Sequence, residues 1–103
     1  MHYVHMPHGS AHVTREISLA RHRYEAMVDH DDRAEKNLGI APLPAAAWIG
    51  IGIRLHTASR LLEGDHARAL SARADVAHAR AFRLLLQQNS RRRQAIPVFG
   101  VAL

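Results

Sequence analysis

The run from Pro44 to Leu62, PAAAWIGIGIRLHTASRLL, leaves this chain fewer ways to fold than any other stretch does. It holds the only tryptophan, three isoleucines and a series of small residues, and only Arg54 and Arg60 carry charge. In helical register Trp48, Ile51, Leu55, Ala58 and Leu62 share one stripe, recurring at three- and four-residue steps, with Ile49 and Ile53 forming a second stripe beside it. A helix apolar on more than one side has to be buried on more than one side. Gly50, Gly52 and Ala45 to Ala47 lower the side-chain wall and would let a neighbouring backbone approach. Each glycine inside a helix costs roughly 1 kcal/mol relative to alanine, so two within three positions need a reason. Ile49, Ile51, Ile53 and Leu55 also alternate with the period of a strand. A strand here would have only the chain termini as partners, whereas LHTASRLL continues the run without a turn in helical pattern. Helix is the expectation for 48–55, with strand as the alternative.

The flanking segments are helical in pattern too. Thr14 is placed to cap a helix running to about Leu38, with Val13, Ile17, Ala20, Tyr24, Met27, Val28, Ala34 and Leu38 on its apolar stripe. Arg21 and Glu25, Asp29 and Arg33, and Asp32 and Lys36 stand four apart on its outer face, a spacing that marks a solvated surface. Gly39 is expected to end this helix in a left-handed cap. The stiff connector Ile40 to Pro44 follows, with Pro44 suited to the first turn of the central helix. That helix should end around Glu63 and Gly64. Asp65 then suits the N-cap of a third helix from about His66 to Ser90, with Leu70, Ala74, Ala77, Ala81, Leu84 and Leu85 as its seam. The short EGD link makes the second and third helices an antiparallel hairpin.

The fold class is therefore all-α: a three-helix small domain built on a helical hairpin. A chain of 103 residues can enclose one modest core, and that core needs one stripe from each helix. The second stripe of the central helix, the patch Leu84 to Leu86 with Phe82, and the tail AIPVFGVAL exceed this need. The excess predicts a dimeric helical bundle, or a groove for another protein. Residues 13–94 form the single domain. Residues 1–12 read as a flexible histidine-bearing tail, and 95–103 as an apolar tail that folds back or crosses to a partner.

Several classes of chemistry find no footing. No cysteine is present, which excludes disulfides and thiolate metal or redox sites. Nucleophile elbow, HExxH, phosphate-loop and paired-carboxylate signatures are missing, so the chain is not read as an enzyme and no cofactor is expected. His56, near the apolar centre, reads as a hydrogen-bonded structural histidine. His2, His5, His8 and His12 are interrupted by Pro7 and Gly9 and lack an accompanying carboxylate, so no metal site is expected. Asp29 to Asp32 spread around a helix and read as a charged outer face. The longest uncharged run, Asn37 to Ile53, is broken by prolines and falls short of the roughly 20 residues a bilayer requires. With no signal peptide visible, the cytoplasm is the expected location.

Two modes of binding remain. Trp48, Ile49, Ile51, Ile53, Leu55, Phe82 and Leu86 are the candidate residues for docking a partner protein. The alternative is a small basic nucleic-acid-binding protein: the net charge is +5, all but Lys36 of the 14 basic residues are arginine, and Asp75 is the only acid between residues 66 and 93. Arg80, Arg83, Arg91, Arg92 and Arg93 would then touch phosphates, although Phe82 is the one aromatic residue that stands among them for base stacking.

With its PAAAWIGIGIRL and ARAFRLLLQQNSRRR segments, the whole chain resembles the small quorum-sensing antiactivators that bind the LuxR-type acyl-homoserine-lactone receptor LasR in pseudomonads. The resemblance implies a small helical binder that disrupts a transcription regulator's dimerisation and so prevents DNA binding. It rests on size and on arginine- and alanine-rich helices, and carries over no individual functional residue.

Overall fold

The run around Trp48 is a helix, which settles the alternation of Ile49, Ile51, Ile53 and Leu55 against a strand. The computed structural model describes the backbone of residues 6–95 and the side chains of residues 12–94. It contains α1 (Met6–Lys36), α2 (Ala45–Ser59) and α3 (Gly64–Ala95), with no strand among the described residues. The fold is an all-α, three-helix domain.

The helix ends differ from expectation for identifiable reasons. α1 starts at Met6, so residues 6–12 are helical, and Thr14 lies inside the helix without capping it. Pro7 falls in the first turn, where its missing N–H would have had no helical partner in any case. His2 and His5 lie outside the described residues, as does the apolar tail from residue 96 onward. α1 ends without a left-handed glycine, because Gly64 is the only described glycine with positive φ. Asn37 makes the turn instead: its side-chain oxygen accepts the Gly39 N–H at 2.9 Å and its carbonyl accepts the Ile40 N–H at 3.0 Å.

Pro44 is the N-cap residue of α2, in extended geometry (φ −74°, ψ 160°), and its carbonyl accepts the Ala47 N–H at 3.1 Å. α2 stops at Ser59, about one turn earlier than expected. Leu61 and Leu62 donate to the Ala58 and Ser59 carbonyls at 3.0 and 3.2 Å, the tighter bonding with which helices often wind down. Gly64 at φ +68° then turns the chain into α3, a conformation that costs any residue with a Cβ. Asp65 consequently sits within the first turn of α3, not at its cap, where it pairs with Arg68 and faces the positive end of the helix dipole.

The core is small and rich in alanine: Ala20 from α1, Ala45, Trp48, Ile51, Leu55 and Ala58 from α2, and Leu70, Ala74, Ala77 and Ala81 from α3. Trp48 and Leu55 are its largest fully buried side chains. Contacts of Trp48 with Arg80, Gly52 with His78 and His56 with Asp75 run in opposite chain directions, so α2 and α3 form an antiparallel hairpin. Tyr24 meets Trp48 edge-on, with ring centroids 6.4 Å apart and planes at 80°, while Asp31 meets Leu43. α1 therefore also runs antiparallel to α2.

At 1.5 Å per residue α2 is about 22 Å long, whereas α1 and α3 are about 46 and 48 Å. α2 contributes most to the core, yet it can cover only about half of either neighbour. The consequence appears along α3, where residues 85–94 are all exposed. Leu85, expected in the seam, is 42% exposed; Leu38, expected on the α1 stripe, falls in the turn after α1 has ended and is fully exposed.

Candidate interaction surface

The hairpin of α2 and α3 has two sides, and only one is covered. On the side facing α1, the charged and hydrogen-bonding groups are put to use. The Arg80 guanidinium lies 4.8 Å from the Trp48 ring centroid and 3.7 Å from Asp31 Oδ2. Asp31 Oδ1 accepts the Leu43 N–H at 3.1 Å, and His30 Nε2–H donates to the Ala41 carbonyl at 2.8 Å. Two side chains of the expected outer face, His30 and Asp31, thus fasten the connector instead, while Asp29 and Asp32 remain exposed. None of the three expected surface pairs on α1 closes to within 4 Å, and Asp31 is drawn inward to Arg80. The Trp48 indole N–H is buried without an acceptor, a cost set against its ring's contacts with Tyr24 and Arg80.

The opposite side has no covering helix among the described residues. Gly52 faces the His78 ring so closely that a Cβ there would collide with it. Gly52 thus admits an imidazole, where a neighbouring backbone had been expected. Gly50 has no neighbour that a Cβ would meet, so packing does not require a glycine there. The His78 ring lies 5.3 Å from that of His56, whose Nε2 is 3.7 Å from Asp75 Oδ1. Around these polar groups stand Ile49 and Ile53, 38% and 56% exposed, and Phe82, Leu85 and Leu86, 63%, 42% and 49% exposed. Helical spacing places Ile49, Ile53 and His56 on one edge of α2, and His78, Phe82 and Leu85 on the facing edge of α3. Together they make one apolar strip across both helices.

The predicted docking residues therefore divide. Ile49, Ile53, Phe82 and Leu86 are exposed on or beside the strip. Trp48, Ile51 and Leu55 are 0%, 2% and 0% exposed, so they hold the domain together and cannot meet a partner while it is folded. Leu85 belongs to the strip but was assigned to the seam. Its position in the run Leu84 to Leu86 hid it, because any of three successive leucines can face the core until the neighbour's length is known.

The arginines divide as well. Arg80 is committed to Trp48 and Asp31. Arg83 opens on a cleft of about 350 Å³ lined also by Asp31, Glu35, Arg80, Leu84 and Gln87, in which two carboxylates offset two guanidinium groups. Arg91, Arg92 and Arg93 are exposed in the last turns of α3, but three consecutive helical positions fan around the axis and present no single basic face. His56 is half-exposed and 3.7 Å from Asp75, too far for a hydrogen bond. The nearby Ser59 hydroxyl donates to the His56 carbonyl at 2.7 Å, not to the imidazole. No group of three or more metal-ligating side chains is arranged around a common point among the described residues. No helix among them is long and apolar enough to cross a membrane. Comparison of the chain with protein-family models, curated proteins and solved structures finds no match.

Proposed function

We propose that this chain is a small cytoplasmic regulator that works by docking an apolar helical surface on a target protein. The observation that carries the reading is the strip of Ile49, Ile53, Phe82, Leu85 and Leu86, which is exposed on a hairpin whose core is already complete without it. Exposed apolar side chains gathered on one face mark interaction sites, whereas isolated ones do not. An amphipathic helix laid against such a face would be gripped through positions spaced three and four residues apart. The resemblance to quorum-sensing antiactivators suggests the target class, a LuxR-type transcription regulator whose dimerisation and DNA binding the chain would block.

Two measurements test this. Titrating the purified chain against a LuxR-type receptor bound to operator DNA should release the DNA, and Phe82→Asp or Ile53→Asp should abolish the release without loss of helical circular dichroism. DNA binding that persists in excess chain overturns the antiactivator reading. Capture of targets from nuclease-treated lysate then decides the wider one. A complex that resists nuclease and is lost in both variants supports protein docking. Recovery that vanishes with nuclease and on neutralising Arg91, Arg92 and Arg93 favours the nucleic-acid alternative.

A further inference from the structure

The uncovered edge of α3 carries a pattern that specifies an occupant. Asp75, His78, Phe82, Leu85, Asn89 and Arg92 recur at steps of three, four, three, four and three, which is the heptad spacing of a two-helix seam. The seam begins with a carboxylate, has its apolar pair in the middle and ends with a guanidinium. Asp75 is the only acid of α3 beyond its first turn, and its side chain is 74% exposed. Arg92 is exposed, between Arg91 and Arg93.

Laid antiparallel on itself about a point between Arg83 and Leu84, this edge is self-complementary. Phe82 meets Leu85 of the second copy, His78 meets Asn89, and Asp75 meets Arg92. Each of these contacts recurs with the roles exchanged, as a two-fold interface requires. A parallel arrangement would set Asp75 against Asp75 and Arg92 against Arg92, placing like charges together at both ends. The hairpin contacts hold Ile49 near the level of Phe82, so each α2 would add Ile49 and Ile53 beside the central apolar pair. That second helix widens the contact toward the roughly 800 Å² per partner of a standard interface.

We infer that the uncovered face of the hairpin takes a second copy of this chain, with the two α3 helices antiparallel and Asp75 of each opposite Arg92 of the other. The inference rests on the reading of this face as a docking surface and names its occupant. A target that uses the same face competes with self-association.

The test uses sedimentation equilibrium of the full chain with circular dichroism as the folding control. The wild type should be a dimer at micromolar concentration. Phe82→Asp should make it monomeric while leaving it helical. Asp75→Arg and Arg92→Asp should each weaken the dimer by about tenfold, since each replaces two attractive pairs with repulsive ones. The double variant should restore it. Because the chain has no native cysteine, register can be read directly. Asp75→Cys chains mixed with Arg92→Cys chains should form the mixed disulfide, and neither should cross-link with itself. A monomeric wild type, a double variant no tighter than the singles, or cross-linking of Asp75→Cys with itself each overturns the inference. The functional reading fails separately: a dimer built in this way that leaves the regulator on its DNA refutes the antiactivator reading and keeps the self-association.

Discussion

The two sides of the α2–α3 hairpin use the same chemistry to different ends. Facing α1, an aromatic ring, an arginine and an aspartate make a closed set: Trp48 lies under Arg80, which reaches Asp31, which in turn holds the connector at Leu43. On the other side an aromatic ring, two imidazoles and an aspartate stand among apolar side chains with no covering helix among the described residues. The difference is that one side has a third helix against it. Residues of the same type therefore maintain the fold on one side and are free to bind on the other.

Substitutions that separate the two sides should rank accordingly. The largest effect belongs to the closed side: Trp48→Ala or Leu55→Ala should cost about 3–5 kcal/mol in urea unfolding, because each empties a site with no exposure. Trp48→Phe should cost far less than Trp48→Ala, since it also removes a buried N–H that has no acceptor. Next comes Asp31→Ala, expected to cost roughly 1–3 kcal/mol by leaving the Leu43 N–H without its acceptor and the Arg80 guanidinium without its counter-charge.

On the open side, Phe82→Asp and Ile53→Asp should change the stability of the isolated fold by no more than about 0.5 kcal/mol. If a second copy covers this face, that small figure will hold only at low protein concentration, and the gap from wild type will widen as concentration rises. A gap independent of concentration would mean these side chains serve the fold and not an interface. The smallest and most discriminating pair is Gly50→Ala and Gly52→Ala. The first should raise stability by about 0.5–1 kcal/mol, because a Cβ there meets nothing. The second gains the same helical preference but must evict the His78 ring, so it should be the less stable of the two. The reverse order would show that Gly52 does not seat His78.

Local pattern alone was enough for the three helices, the hairpin and the buried stripe of α2. Trp48, Ile51, Leu55 and Ala58 recur with the period of a helix, and Leu70, Ala74, Ala77 and Ala81 answer them with side chains small enough for close approach. That information is periodic and survives without knowledge of any neighbour. The surplus of apolar side chains could be seen from the same pattern, although their division between core and surface could not. Ile49 and Ile53 stand one step around the helix from buried residues, and Leu84 and Leu85 are adjacent in sequence yet end up half-buried and exposed.

Which side of the hairpin α1 covers had to wait for the packed fold, because it depends on where the connector delivers that helix. His30 and Asp31 belonged to a charged run in the sequence and became the fasteners of that connector, through partners 11 and 12 residues away. Arg80, one of several arginines on α3, was taken into the fold by the same step. Spacing along a chain fixes which side chains share a face, but not which face meets another helix. The 15 residues of α2, placed between helices of 31 and 32, leave the end of α3 uncovered, and the long-range packing of α1 determined which side of the hairpin stays open.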